Sequence, residues 1–170
     1  MRVILFRHGP AAERDGVRWP DDALRPLTGQ GAKRTATAGQ GLARIERGIG
    51  VVASSPLVRA DQTARIVARA CGLDDHETVD ALVPGRSYRK TLEWLRAHRD
   101  AGDVVLVGHE PDLGKLAGTL VFGAPTWLPL KKAGACAIDI DGEFQPGTGR
   151  LVWFMQPKLL RRWSTGKEKS

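Results

Sequence analysis

With 170 residues, 42% of them hydrophobic and 26% charged, the chain is long enough for one domain with a genuine core and too apolar to read as disordered. It holds no apolar run near the ~20 residues of a membrane helix. The four apolar residues between Arg2 and Arg7 are too few for the core of a signal peptide, so the expected location is cytoplasmic. The net charge of +7 invites a nucleic-acid partner, but Lys158, Arg161, Arg162, Lys167 and Lys169 against Glu168 put more than half of it into the last thirteen residues.

What remains is a nearly neutral domain over residues 1–158 followed by a basic tail over residues 159–170, and nucleic acid is not the expected partner. Cys71 and Cys136 stand far apart in apolar surroundings and outside any CxxC pair, which suits buried free thiols rather than a metal or redox site.

Val3 to Phe6 reads as a short buried strand between arginines. It runs into Arg7-His8-Gly9-Pro10, where the glycine permits a sharp turn and the close approach of a ligand. Residues 11–25 are polar and without helical period, a loop able to cover a site. Thr28 is the expected N-cap of a helix from Gly29 to Arg47, weakened by four glycines, with Ala32, Thr35, Ala36, Leu42 and Ile45 on its inner face.

Val51 to Ala53 is a second strand, closed by Ser54-Ser55-Pro56. The next helix is expected to start at once, with Ser55 as N-cap, Pro56 in the first position and Gly72 beyond its end. Ala60, Ala64, Val67 and Cys71 recur at helical spacing toward the core, and Arg59 falls in the first turn. Glu77 to Leu82 suggests an edge strand, Val83-Pro84-Gly85 a turn, and about Ser87 to Ala101 a helix carrying Tyr88, Leu92 and Leu95.

Asp103 to Val107 is a strand apolar from Val104 onward, as in a sheet covered on both faces, and it ends in Gly108-His109-Glu110-Pro111. A helix near Asp112 to Phe122 presents Leu113, Leu116, Ala117, Leu120 and Val121. After a loop with Trp127, strands near 135–140 and 150–155 are joined by a glycine-rich hairpin, and the chain reads as tail from Pro157. Alternating strands and helices without repeat or linker predict one α/β domain.

Three strand ends carry related patterns: Arg7-His8-Gly9, then Ser54-Ser55-Pro56 with Arg59 beyond it, then Gly108-His109-Glu110. If these strands run parallel, their ends open on the sheet edge where ligands of open α/β folds sit. Two arginines and two histidines then converge, with Glu110 the only carboxylate in the immediate motifs. Bidentate guanidinium geometry favours phosphate or carboxylate, and the helix N-terminus beside Arg59 adds to the same field. Each residue alone carries little, since a lone histidine is most often a packed core residue and Arg59 alone is an ordinary helix arginine. Glu13 and Glu110 are expected to be solvated or bonded to loop backbone, and His76 and His98 to lie at the surface.

The Arg-His-Gly turn after the first strand, with a later Gly-His ending another, resembles the histidine phosphatase superfamily, the phosphoglycerate-mutase-like group. Asp22-Ala23-Leu24 leading into Arg25-Pro26-Leu27-Thr28 is similar to its short SixA-type branch of phosphohistidine phosphatases. So are Ser54-Ser55-Pro56-Leu57 with Arg59 and Thr63-Ala64, then Leu82 with Pro84-Gly85, and Gly108-His109-Glu110-Pro111. The resemblance runs to about Lys158.

It implies a single three-layer α/β/α domain with a mostly parallel central sheet, spanning residues 1–158. It implies His8 as a nucleophile that forms a phosphohistidine later hydrolysed by water, with Arg7, Arg59 and His109 on the phosphoryl oxygens and Gly9 beside them. Neither metal nor cofactor is expected. Arg7 and Arg59 should disfavour the imidazolium, and a backbone carbonyl on the other ring nitrogen would fix the tautomer.

Larger members carry an acidic proton donor in an insertion, for which Asp80-Ala81-Leu82-Val83-Pro84-Gly85 holds no counterpart; Glu13 and Asp80 are what remains to consider. An imidazole leaves with less need of a proton than an alkoxide, so the expected substrate is protein phosphohistidine. The competing expectations are a phosphomonoesterase for a small metabolite or nucleotide, and a basic nucleic-acid or phosphopeptide binding protein.

Overall fold

The computed structural model describes residues 1–165. Six strands, β1 (Arg2–Arg7), β2 (Ile49–Ser54), β3 (Glu77–Thr78), β4 (Asp103–Gly108), β5 (Ala135–Ile140) and β6 (Gly149–Met155), form one sheet in the order β3-β2-β4-β1-β5-β6. β1, β2, β3 and β4 are parallel, and β5 runs antiparallel to both of its neighbours, β1 and β6. The helices are α1 (Gly29–Ile45), α2 (Val58–Ala70), α3 (Tyr88–Ala97), α4 (Asp112–Phe122) and α5 (Pro157–Trp163).

The unbroken apolar run of β1 follows from its place in the middle. Successive strand residues point to opposite faces. Val3 and Leu5, with Val104 and Leu106 of β4, pack under α3 and α4 against Leu92, Leu95, Leu116 and Leu120. Ile4 and Phe6, with Val105 and Val107, meet α1, α2 and α5 through Leu42, Ala64, Val67 and Leu160. All four interior residues of β1 are fully buried, and each side chain of this size contributes ~1.5–3 kcal/mol of transfer free energy. The result is the three-layer α/β/α architecture around a mostly parallel sheet.

Thr28 caps α1 as expected, its hydroxyl accepting from the Gly31 N–H at 2.9 Å. The deep face of α1 differs from the predicted one. Gly31, Thr35, Ala38, Gly39, Gly41 and Leu42 are buried, while Ala32, Ala36 and Ile45 are half-buried. The cause is close packing against backbone. A Cβ at Gly41 would overlap the Leu160 carbonyl, so the glycine that weakens the helix lets α5 lie against it.

Three further boundaries move. α2 begins at Val58 rather than Pro56, with Leu57 at the N-cap and no side-chain cap. The Ser55 hydroxyl reaches the Leu57 N–H at 3.3 Å, but it also lies 3.0 Å from the ring of His109 and so belongs to the strand-end cluster. The edge strand expected to reach Leu82 is only Glu77–Thr78, because β2 ends at Ser54 and offers no ladder beyond it; residues 80–82 close into a 3-10 turn that buries Leu82. α3 stops at Ala97, where His98 bonds back to the Trp94 carbonyl and Gly102, at φ 84°, turns the chain into β4.

Residues 157–163, expected as the start of a basic tail, are helical. Leu160 is fully buried against α1, so the boundary placed at residue 158 falls inside a docked helix. Residues 166–170 of that tail lie outside the described residues. Cys136 is buried and Cys71 half-buried, both free, and burial pushes their thiols up to about 12 and about 11.

Candidate active site

Strand register assembles the site. Arg7 lies opposite Gly108 and Ser54 opposite Val107, so His8, His109 and Ser55 each stand one step past the end of a parallel strand. The rings of His8 and His109 are 5.1 Å apart, close to the ~4.8 Å that separates neighbouring strands. Arg59, the second residue of α2, comes in from the same edge. Its side chain, like those of His8 and His109, is almost fully buried, and Arg7 is half-buried.

Each group is held by backbone. The Arg7 guanidinium donates through Nη1 to the Leu130 carbonyl at 2.7 Å. Leu130 is itself fixed by Glu110, whose carboxylate accepts from the Leu130 N–H at 3.0 Å and from the Trp127 indole at 2.6 Å. Glu110 therefore bonds loop backbone, as expected, and positions Arg7 at one remove.

Arg59 donates to the Asp22 carbonyl at 2.7 Å and pairs with the Asp22 carboxylate at 3.0 Å. Arg25, also buried, holds the same carboxylate at 2.9 Å and the Ala12 carbonyl at 2.6 Å. The Arg25 bond, ahead of the Arg59 charge, keeps the Asp22 carboxyl below its usual range. Among the described residues, the Nε atoms of Arg7 and Arg59 are buried without a hydrogen-bond partner, which leaves two guanidinium donors for an incoming anion.

His8 Nδ1 lies 2.8 Å from the Gly9 carbonyl. A carbonyl can only accept, so Nδ1 carries the proton and Nε2 keeps a free lone pair. Burial, and after it the charges of His109, Arg59 and Arg7, hold the His8 pKa down to about 3 despite the opposing effect of that carbonyl. His109 is likewise lowered to about 3 by burial and then by Arg59. Both rings are neutral at physiological pH. Gly9 has no room for a side chain, since a Cβ would overlap the Thr35 hydroxyl, and its N–H donates to Thr63 Oγ1 at 3.0 Å.

Arg7, His8, Arg59 and His109 line an open cleft of ≈ 640 Å³ together with Glu13, Arg14, Asp22 and Lys132. Arg7, Arg14, Arg25, Arg59 and Lys132 oppose Glu13, Asp22 and Glu110 there, and two of those carboxylates are already engaged by protein groups. The cleft is cationic and suited to a phosphoryl group.

Of the sequence-predicted site residues, Arg7, His8, Arg59 and His109 line the cleft together, whereas Gly9 does not line it and packs against Thr35 and Thr63. Glu13 stands on the cleft wall; Asp80 does not line it and is exposed at the 3-10 turn. His76, expected at the surface, is instead a buried ring 2.8 Å from Asp61, and His98 stacks on Trp94 at 3.8 Å. Reasoning on the sequence missed Asp22 as the partner of Arg59 and Arg25 as the second holder of its carboxylate, although their motif was visible. It also missed Lys132, which no local pattern marks.

Comparison with known proteins agrees with this geometry. The family model described as the histidine phosphatase superfamily (branch 1) matches residues 3–83. An uncharacterised protein of Picosynechococcus sp. is 42% identical over 138 residues, 79% of this chain and 82% of that one. Phosphohistidine phosphatase SixA of Escherichia coli is 27% identical over 165 residues, 95% of this chain and 97% of its own. The solved structure of protein histidine phosphatase SixA complexed with tungstate superposes with a TM-score of 0.80 at 27% identity, covering 94% of this chain and 99% of that one. With its two buried histidines and its arginine cluster on a matching fold, the chain belongs to the histidine phosphatase superfamily, to the SixA-like branch, and is a phosphatase.

Proposed function

We propose that the protein hydrolyses phosphohistidine on a protein, with His8 as nucleophile and without a metal. The observation that carries this reading is the His8 ring, with its proton on Nδ1 toward Gly9 and a bare Nε2 in a cationic cleft. Nε2 attacks phosphorus in line with the leaving group, and the phosphoryl group passes to the ring. Water then attacks the phosphohistidine and releases phosphate. Arg7, Arg59 and His109 hold the non-bridging oxygens, where charge spreads in the transition state. The arginines supply the positive charge that a metal provides in other phosphoryl-transfer sites.

Protein phosphohistidine as substrate is supported by the names of the SixA relatives at 27% identity, and by a cleft open enough for a side chain presented from a protein surface. The Glu13 carboxyl on the cleft wall favours a second reading, a phosphomonoesterase for small molecules with that group as acid. Purified protein with EDTA, given a phosphohistidine-bearing protein beside sugar, nucleotide and aryl phosphates, separates the two. Faster turnover of phosphohistidine supports the first; faster turnover of the esters replaces it with the second. His8→Ala is expected to lower turnover to below about a thousandth of wild type with far-UV circular dichroism unchanged, and equal turnover in the variant sinks the assignment.

A further inference from the structure

The segment that closes the site from the β5 side is held in a costly conformation. Ala133 has φ 60°, the one non-glycine residue in the left-handed region among those described, and it is buried. Such a backbone is unfavourable for a residue with a Cβ, so the surroundings must enforce it. They do. The Ala133 N–H is shared between the Arg7 and His8 carbonyls at 3.0 and 3.2 Å, and the Arg7 N–H donates to the Gly134 carbonyl at 3.0 Å. Gly134 in turn donates to the Lys131 carbonyl at 2.7 Å. The tight turn thus clamps residues 131–134 onto the nucleophile's own backbone.

Two adjacent lysines leave this turn with different fates. Lys131 reaches away to Gln156 at 3.2 Å. Lys132 lines the cleft, and among the described residues its ammonium has no ion-pair partner. Arg7, Arg25 and Arg59 are the charges that act on it there.

From this placement we infer that Lys132 is the proton donor to the leaving group, the part that the short 80–85 segment does not supply. The inference rests on the assignment of His8 as nucleophile. In the first step the Nε2 lone pair of His8 forms the new N–P bond, and the bond from phosphorus to the leaving atom, nitrogen in phosphohistidine or oxygen in an ester, breaks with its electron pair on that atom. A proton from Lys132 Nζ passes to the leaving atom, leaving a neutral amine and a departing imidazole or alcohol. In the second step water attacks phosphorus, its proton goes to the Lys132 amine, the N–P bond breaks with its pair on Nε2, and phosphate is released. The cycle closes with both residues restored. Lys132 is exposed, and partial desolvation at the cleft, with the charges of Arg7, Arg25 and Arg59 after it, lowers its pKa, which makes the ammonium a better acid than a free lysine.

The test is a leaving-group series with EDTA present, using p-nitrophenyl and phenyl phosphate on wild type, Lys132→Met, Lys132→Arg, Glu13→Gln and His8→Ala. A nitrophenolate departs with little need of a proton, whereas phenolate needs one. Lys132→Met is expected to lower kcat/KM for phenyl phosphate by about 10²-fold or more and for p-nitrophenyl phosphate by less than about tenfold. Lys132→Arg should not restore the phenyl substrate, because a guanidinium does not release its proton at working pH. Equal loss on both substrates with rescue by arginine overturns the proposal and leaves a purely electrostatic role. So does a selective loss of phenyl phosphate turnover in Glu13→Gln, or a wild-type enzyme that does not turn over phenyl phosphate. Retained turnover in His8→Ala is a different failure, that of the nucleophile itself.

Discussion

Arg59 makes three demands on one guanidinium: the Asp22 carbonyl, the Asp22 carboxylate, and an Nε donor still free among the described residues. A planar fork meets them together and an ammonium does not. Arg59→Ala is therefore expected to lower kcat/KM by about 10²–10³-fold, with kcat falling as well as KM rising. Steady-state kinetics on a single substrate separates the two parameters, and an unchanged kcat would reduce Arg59 to a substrate-binding group. His8 shows the same economy of means. One hydrogen bond to its own neighbour's carbonyl sets the tautomer, and burial keeps the ring neutral.

Among the elements, α5 changes the picture most. Its cationic composition suggests a solvated tail, yet Leu160 is fully buried and the Leu160 backbone lies where a side chain at position 41 would be. Leu160→Ala is expected to cost about 2–5 kcal/mol, read as a lower urea midpoint at unchanged slope. A solvated tail predicts no shift. α1 and α5 thus explain each other: Gly41, which lowers helix propensity in α1, makes the contact possible, and only the partner reveals why it is there.

For the whole molecule, the buried neutral histidines tie stability to pH. Unfolded histidine titrates near 6.5, whereas His8 and His109 are held to about 3 in the folded protein. Between those values the unfolded chain binds more protons, so stability falls as pH drops from 6.5 toward 3. Above about pH 7.5, where the unfolded rings are neutral as well, these two groups add no slope. The urea midpoint is expected to decline already between pH 6.5 and about 4.5, before the Asp22 and Asp139 ion pairs are lost, and His109→Gln should flatten that decline. A flat wild-type midpoint over this window would mean that the rings titrate normally.

Local signals were enough for much of this. The apolar runs of β1 and β4, the Thr28 cap and the periodic faces of α2 and α4 are short-range patterns, and they placed β1 and β4 to within one residue at each end and α4 to the residue. Arg7, His8 and His109 were legible because each directly follows a buried strand, where parallel order leaves the next side chain at one edge. Tertiary structure alone decided the rest. Asp22 and Arg25 meet Arg59 across 37 and 34 positions of sequence, β3 ends where its partner does, and Lys132 enters the cleft because Ala133 is clamped to the Arg7–His8 turn more than 120 residues away. Such contacts depend on which segments the sheet brings together, and a pattern confined to neighbouring residues does not contain that information.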